Sequence, residues 1–501
     1  MLSIMPWNEL LRLTLRAVLM LATATLLACL PMFRGAVQPE DRAWLMTIAG
    51  MLAAVLVIDL VARWGMRLWP TRLGRQQFEA GRSRSAPWLT WWLALVLSYG
   101  WLAALLPRGM VHAATSGVFL YANPLLGGFG TVQQEASLAA MQLYSMVAVM
   151  LLAAWQCGRR SRGRRLLGGA VALAGTLVGY AGSAEKLGLP MPDIWAVERV
   201  PSNVFGFFWY HANAASFLLL TLPVTVWALR SAILEHRAQL GRLLLLVAVT
   251  VQVCGLLLNY SKVGHMLLLL QALAAACHTA IQLCRSHRQS SLSLGRTLIV
   301  TVPLAAVIIA LAWVNASQIV GKRWDDFAER GYRDEGRVRA AAVSWRMAAD
   351  APFGWGPGTF EAVFAQYSAA EPVLNRNRWK HAHHDYGQLA AEWGWCGGLI
   401  LSFGPLAALW RLATAKGGDR GGSFNCAGAF YPGLALGCLL LHAWVDFPLQ
   451  NPVILILAAA VVGLWLATFE DSGGHRKRVA SRRRWPAAPA FSETGRETRR
   501  V

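Results

Sequence analysis

The sequence predicts an all-α, polytopic membrane protein with about twelve transmembrane helices and one long periplasmic loop that contains short helices. Of the 501 residues, 56% are hydrophobic and 15% are charged, whereas about a quarter of the residues in an ordinary soluble domain are charged. Apolar stretches recur along the chain at the length of about 20 residues that a helix needs to cross a bilayer. Lysine and arginine collect between alternate stretches, which is typical of cytoplasmic loops.

The apolar stretches define the domain organisation. The predicted helices are residues 14–33, 44–62, 88–107, 137–156, 166–184, 212–229, 243–258, 263–283, 297–316, 393–410, 427–445 and 453–469. Helices 1–5 lie in the N-terminal segment 1–200, helices 6–9 lie in 201–316, and helices 10–12 lie in 387–469. The segment 317–386 is the long loop that holds the candidate active site, and 470–501 is a basic, disordered cytoplasmic tail.

The basic residues set the orientation of the chain. With both termini in the cytoplasm, 31 of the 47 lysine and arginine residues fall on the cytoplasmic side, and ten of the rest lie in the single segment 317–386. This distribution predicts a multi-pass protein of the bacterial inner membrane whose active site faces the periplasm. The net charge of +21 is explained by topology and by anionic lipid, so we expect the lipid bilayer as a partner and no nucleic acid.

The long loop carries three features in order. Residues 336–351 predict a helix that Pro352 ends, with Arg339, Arg346 and Asp350 on one face; we expect this helix on the outer membrane surface, its arginines turned toward headgroups or toward a cavity. Gly354-Trp-Gly-Pro-Gly-Thr-Phe360 predicts a tight turn or a close approach of a ligand to backbone amides. His381-Ala-His383-His384-Asp385-Tyr386 follows where the chain re-enters the membrane.

The histidine cluster has three interpretations. A metal site lacks a second group of ligands at a recognisable spacing, and the eight cysteines lie in or beside apolar runs, so we expect no metal and no cofactor. A solvated polar loop without chemistry is the second interpretation. The favoured one is a histidine that acts as a general base, since its pKa is close to neutral.

Further polar residues lie at the outward ends of helices, where they are costly in a bilayer unless they face a cavity. They are Arg199, Asn213, Lys262, His442 and Asp446. Each alone is typical of an interfacial anchor or a polar packing pair. Their convergence on one membrane face favours a shared site.

These residues, taken in order from about Arg199 to Pro452, resemble the O-antigen ligase family, which includes related O-antigen and exopolysaccharide polymerases. The family pattern is an arginine ahead of Asp-x-Pro, then Gly-x-Gly-x-Gly-x-Phe, then Ala-His-Asn-Asp-Tyr followed by Glu-x-Gly. The matching positions here are Arg337, Asp350, Pro352, Gly354, Gly356, Gly358, Phe360, Ala382, His383, His384, Asp385, Tyr386, Glu392 and Gly394. The chain departs from the pattern at His384, where the family usually has asparagine, and at Lys262, where it usually has arginine.

The resemblance implies an enzyme that moves an oligo- or polysaccharide from a polyprenyl diphosphate carrier to an acceptor hydroxyl on the periplasmic face, with inversion and without a metal. The acceptor would be lipid A core, another glycan or a protein. His383 is then expected as the base, oriented by Asp385 or Glu392, with His384 left open as the alternative base. Arg337 and Arg339 are expected to stabilise the departing diphosphate. Residues expected to bind substrate in addition are Lys262, Arg199, Arg346, His384, Glu392, Asn213 and Asp446.

Two alternatives remain open from the sequence. A polymerase would join one lipid-linked repeat to another, and sequence separates it poorly from a ligase. A secondary transporter or lipid-linked glycan flippase also suits twelve helices, but the chain shows no clear internal repeat, and the polar residues gather at one face and not at mid-membrane.

Overall fold

The computed structural model describes residues 7–68, 87–112, 117–121, 128–190, 204–286, 325, 335–374, 379–414 and 426–482. Within these ranges the chain forms thirteen α-helices: α1 Trp7–Cys29, α2 Pro39–Leu68, α3 Pro87–Leu105, α4 Gln134–Gly158, α5 Ser161–Lys186, α6 His211–Leu234, α7 Gln239–Leu258, α8 Lys262–Ser286, α9 Glu335–Asp350, α10 Phe360–Ser368, α11 Asp385–Thr414, α12 Cys426–His442 and α13 Pro452–Arg482. Two short 3-10 helices are also present: Leu30–Ala36 lies between α1 and α2, and Pro448–Gln450 lies between α12 and α13.

The helices confirm the predicted class of all-α polytopic membrane protein. Among the described residues, nine helices are long and apolar enough to cross a membrane, and two shorter apolar helices cover Gly428–His442 and Pro452–Thr468. These eleven correspond to eleven of the twelve predicted helices. The twelfth, at 297–316, lies outside the described residues.

The structure differs from the expectation in three places. α11 begins at Asp385, eight residues before the predicted start, and bends at Gly394, whose φ is +67°; its polar first turns lower the hydropathy that marks a span. α13 continues to Arg482, into the segment predicted as a disordered tail. An antiparallel hairpin, β1 Gly109–His112 with β2 Gly117–Leu120, was not predicted.

The membrane helices pack around α6, which is the most buried of the nine long spans. α5, α7 and α12 contact it, and α13 packs against α4. α5 and α7 approach so closely that a Cβ on Gly255 would lie 2.7 Å from the Cα of Gly179. Helices in lipid associate through such small residues, because apolar burial alone does not distinguish helix–helix contact from helix–lipid contact.

A second, smaller core supports the residues that follow α9. Val343 and Met347 of α9 are fully buried against Trp355, Phe360 and neighbouring apolar side chains. The Trp355 indole also donates a hydrogen bond to the Met347 carbonyl, 2.9 Å. α9 packs against α11, which fixes it at one end of the helix bundle. At this end α6, α8 and α11 begin and α12 ends. We call it the site end.

Candidate active site

Four polar residues from distant segments meet at the site end. Arg337 lies in the first turn of α9, Tyr210 directly precedes α6, Asp446 follows α12, and His383 precedes α11. Arg337 Nη2 donates a hydrogen bond to Tyr210 Oη at 3.1 Å, and Tyr210 Oη donates to Asp446 Oδ2 at 3.1 Å. Asp446 Oδ1 lies 3.3 Å from His383 Nδ1. One carboxylate therefore links a guanidinium, through a phenol, to an imidazole.

Asp446 is ionised in this arrangement although it is 4% exposed. Burial alone would raise its pKa, but His383, His442 and Arg337 outweigh burial and lower the pKa to about 2. The amide of Phe447 also donates to Asp446 Oδ1 at 3.0 Å. A buried carboxylate with these partners keeps its charge and holds them in place.

His383 is held by its backbone and by aromatic walls. Its φ is +51°, in the left-handed region that is sparsely populated by non-glycine residues and often found at functional sites. Phe447, Trp379 and Tyr210 form T-shaped ring pairs with the imidazole at centroid distances of 4.7, 5.5 and 6.2 Å. Because Nδ1 is the nitrogen beside Asp446, the carboxylate favours the proton on Nδ1 and leaves the lone pair on Nε2.

His384 has a different environment from its neighbour. Its Nδ1 accepts a hydrogen bond from the Gly387 amide at 2.9 Å, so it occupies the N-cap position of α11. Trp345 and Trp444 contact its ring at 5.7 and 5.1 Å, and burial lowers its pKa. The two adjacent histidines therefore differ in partner, in exposure and in the role of Nδ1, which faces a carboxylate in His383 and accepts an amide hydrogen bond in His384.

His381 completes the aromatic part of the site. Its ring stacks on Phe447 at 4.6 Å, and Phe447 also stacks on Tyr210 at 5.3 Å. Burial, followed by the nearby charge of His383, lowers the pKa of His381 to about 4. At neutral pH His381 is thus an uncharged ring beside the site.

Arg339 and Arg346 lie away from these residues, together on another face of α9. Arg339 Nη1 is 3.1 Å and Arg346 Nη2 is 2.7 Å from the two carboxylate oxygens of Glu371. The hydrogen bonds from Arg346 and Arg339 lower the pKa of Glu371. Both arginine side chains are about half exposed, so the structure does not bring them to Arg337.

Asp385 and Glu392 are buried but serve the surrounding backbone. Asp385 accepts hydrogen bonds from the Leu449 amide at 2.8 Å and from Gln450 Nε2 at 3.0 Å. Glu392 accepts from the Gly358 amide at 2.9 Å and from Gln388 Nε2 at 3.1 Å. The carboxylate beside His383 is that of Asp446, and neither Asp385 nor Glu392 has a described contact with His383.

The glycine turn at 354–358 is packed against protein. The amides of Trp355, Gly356 and Gly358 donate to Ala391 O, Glu392 O and Glu392 Oε2, at 2.9, 3.0 and 2.9 Å. A Cβ on Gly354 would clash with the Glu392 carbonyl and with the Gly394 amide. These glycines allow the turn to pass close to the kink of α11, and the three amides do not face a ligand.

The remaining expected residues are placed as follows. Asn213 is buried in the first turn of α6, at 6% exposure, and Lys262 is the half-buried first residue of α8. Arg199 lies outside the described residues. Within the part of the chain that the structure describes, no group of three or more histidine, cysteine, aspartate or glutamate residues is placed to hold a metal ion.

Sequence reasoning missed Tyr210 and the direct pairing of Asp446 with His383. Tyr210 stands in the aromatic run Phe205-Gly-Phe-Phe-Trp-Tyr210, where a tyrosine is typical of a membrane interface. No local pattern distinguishes it from its aromatic neighbours. Only the tertiary contact with Arg337 and Asp446 does so.

Comparison with known proteins agrees with the resemblance noted from the motifs. Residues 243–402 match the family model described as O-Antigen ligase, which is about a third of the chain. The matched range contains Lys262, Arg337, His383, Asp385 and Glu392. None of the curated proteins compared with the chain matches it. Residues 243–402 are thus similar to the O-antigen ligase family, as the motifs predicted, and the similarity implies a membrane glycosyltransferase-like enzyme of the ligase and polymerase kind.

Proposed function

We propose that this chain, whose residues 243–402 match the O-antigen ligase family, transfers a glycan from a polyprenyl diphosphate carrier to an acceptor hydroxyl at the periplasmic face of the bacterial inner membrane. The transfer is a metal-independent, inverting displacement. The observation that carries this proposal is the connected set Arg337, Tyr210, Asp446 and His383, which combines a cation with an oriented imidazole at one end of the helices.

The departing group requires a cation. As the bond between the anomeric carbon and the diphosphate oxygen breaks, the electron pair leaves with the diphosphate, which gains negative charge. A guanidinium suits this charge because its fork can pair two phosphate oxygens. Arg337 is oriented for this role by its hydrogen bond to Tyr210, and Lys262 is a further candidate for a phosphate contact.

The attacking group requires a base. His383 Nε2 accepts the proton of the acceptor hydroxyl as its oxygen bonds to the anomeric carbon. The imidazolium that forms lies next to the Asp446 carboxylate, which stabilises it. A single displacement of this kind inverts the anomeric centre, because the acceptor enters opposite the departing diphosphate.

The apolar tail of the carrier has a matching surface. A groove of about 540 Å³ runs between α8 and α12, and its apolar lining includes Leu270, Ala274 and Leu441. Tyr386 and Trp444 also line it, and Trp444 contacts His384. The groove therefore extends to the site end, where a polyprenyl chain lying in it would present its diphosphate.

The test is transfer by the full chain in vesicles supplied with a polyprenyl diphosphate oligosaccharide and an acceptor. We expect His383→Ala and Arg337→Ala each to lower the rate by about 10²- to 10⁴-fold, the range of a general base or of a fixed charge at the departing group. Lys380→Ala, which removes an exposed cation from the same segment, is the matched control. Wild-type rates in either of the first two variants would contradict the assigned roles.

The products of the same reaction identify the acceptor. A single shift of the acceptor to higher mass indicates a ligase, acting on lipid A core or on protein. A ladder that stays on the carrier lipid indicates a polymerase. No transfer by the wild-type chain to any of these acceptors would contradict the proposed function as a whole.

A further inference from the structure

α9 carries an exposed apolar stripe. Val338 and Trp345 are 55% and 37% exposed, and Ala342 and Ala349 lie between and beyond them, also exposed. At 3.6 residues per turn these four positions fall within about 60° of one another. The opposite side of the helix, with Ala340, Val343 and Met347 fully buried, packs into the small core, so the stripe is a separate surface.

The stripe is continuous with the lipid-facing surface of a membrane span. Trp345 stacks on Trp395 of α11 at 6.1 Å. From Trp395 onward, α11 exposes large apolar side chains at helical spacing: Trp395, Leu399, Phe403, Leu406 and Trp410, each at 50% or more. A side chain at this junction occupies the depth at which tryptophan residues form interfacial belts.

Two arginines flank the stripe on one side. Arg339 and Arg346 follow Val338 and Trp345 by one residue, and both pair with the single carboxylate of Glu371. Two guanidinium groups share one carboxylate, so these three side chains keep a net charge of +1; Asp350, on the same face, accepts a hydrogen bond from Tyr367 Oη at 2.6 Å. An apolar stripe bordered by cations is the pattern of a helix that lies in the membrane interface and meets anionic headgroups.

We propose that α9 docks on the outer leaflet of the bilayer, with Val338, Ala342, Trp345 and Ala349 in the acyl boundary and with Arg339 and Arg346 on anionic phospholipid headgroups. The occupant of this surface is the lipid bilayer itself. The docking fixes the height of Arg337 above the membrane, because that residue begins the same helix. It rests on the membrane class of the protein and not on the proposed reaction.

The experiment measures the environment of the stripe in the full chain reconstituted in vesicles. An environment-sensitive fluorescent amino acid replaces Ala342 or, as the matched control, the exposed Ala369 at the end of α10. We expect the probe at 342 to emit at shorter wavelength, to be quenched by brominated lipid and to be shielded from aqueous iodide. The probe at 369 should show the reverse. Equal iodide quenching at both positions would overturn the docking.

A second arm tests the headgroup contact. The probe at 342 is compared in phosphatidylcholine vesicles and in vesicles that also contain phosphatidylglycerol. We expect the anionic lipid to increase the spectral shift, and the double variant Arg339→Gln with Arg346→Gln to lose that increase. A double variant that responds to phosphatidylglycerol like the parent would refute the role of the arginines. Because neither arm measures glycan transfer, their failure leaves the proposed function to its own test.

Discussion

Replacing Asp446 by asparagine and replacing Asp385 by asparagine should have different consequences. Comparison of the two variants tests which carboxylate orients His383. Asp446→Asn keeps the shape of the side chain but removes the charge that faces His383 Nδ1 and Tyr210 Oη. Asp385→Asn changes a carboxylate whose partners are the Leu449 amide and Gln450. We expect the first to slow the reaction as well as to weaken the fold, and the second to weaken the fold with kcat per folded enzyme little changed.

The magnitude for Asp446 follows from its pKa. Burial would raise that pKa, yet His383, His442 and Arg337 lower it from 3.8 to about 2. A difference of about two units corresponds to roughly 2–3 kcal/mol of folding stability in favour of the carboxylate, and the 4% exposure of the residue leaves little screening by water. In the reaction, the variant lacks the negative charge beside the imidazolium that forms on His383, and kcat should fall by about 100-fold, the low end of the general acid–base range.

The pH range follows from the same values. Because the pKa in the folded state lies below the ordinary value, the stabilisation by Asp446 is complete above about pH 3.8 and is lost as the pH falls toward 2. Between pH 5 and 8 its charge is constant, so the loss of kcat in Asp446→Asn should not depend on pH through this group.

The magnitude for Asp385 follows from its hydrogen bonds. An amide at this position turns an N–H₂ group toward one of the two donors and leaves that donor unpaired in a buried site. The cost is about 1–3 kcal/mol of stability, which is measurable as a lower thermal midpoint and as less protein in the membrane.

The assay compares kcat per folded enzyme with the thermal midpoint for both variants in the same vesicles. If Asp385→Asn lost catalysis at an unchanged midpoint while Asp446→Asn turned over normally, the pairing of Asp446 with His383 would have no catalytic meaning. That result would return the orienting role to Asp385.

Three further outcomes are expected. Tyr210→Phe removes the hydroxyl between Arg337 and Asp446 and should lower kcat by about tenfold, the value of a hydrogen bond to a charged group; an unchanged rate would show that the link is not used. Gly354→Ala should prevent accumulation of folded protein in membranes, because its Cβ would meet the Glu392 carbonyl at a φ of +83°; normal levels of the variant would argue against the close packing. The pKa of His381 in the folded state is lowered to about 4, so the contribution of neutral His381 to stability is complete above about pH 6.5 and is lost as the pH falls to 4. The thermal midpoint should fall over this pH range in the wild type and less steeply in His381→Phe. Equal pH dependence of the two midpoints would show that His381 does not contribute to the acid destabilisation.

The sequence was sufficient for features that depend on local periodicity. Residues 336–351 predict a helix, and α9 spans Glu335–Asp350. The same periodicity places Arg339 and Arg346 on one face, where the structure pairs both with Glu371. It also separates them from Arg337, which lies about 160° around the helix from Arg339 at 100° per residue. The grouping of Arg337 with Arg339 as one cation pair therefore ignored a constraint that the sequence contains.

Other features depend on contacts between distant segments. Asp446 and His383 are 63 residues apart, and Tyr210 is farther still. The nearest acidic residue in sequence, Asp385, is a poor guide, because α11 begins at that residue and its side chain turns toward the turn at Pro448–Gln450. The role of the glycine turn could not be predicted for a related reason. A backbone without side chains can approach a ligand closely, but it can equally pack against Glu392 and Gly394 of the same chain.

The departure of this chain from the family pattern at His384 now has a physical explanation. In the family pattern asparagine occupies this position, which in this chain is the N-cap of α11. Asparagine is among the best N-cap residues because its side-chain oxygen accepts an amide from the first turn. His384 performs that task with Nδ1, which accepts from Gly387 at 2.9 Å. A nitrogen engaged in a cap, on a ring held between Trp345 and Trp444, is not placed to take a proton from an acceptor.

His384→Asn should therefore retain transfer activity within about threefold and retain the thermal midpoint, because the cap is preserved. His384→Ala should lose about 1 kcal/mol of stability, the ordinary cost of an N-cap, with kcat per folded enzyme little changed. His383→Asn, the same substitution one residue earlier, should abolish measurable transfer. If His384→Asn were inactive at a normal midpoint while His383→Asn was active, the proton would pass through His384, and the orientation of His383 by Asp446 would have to serve substrate binding.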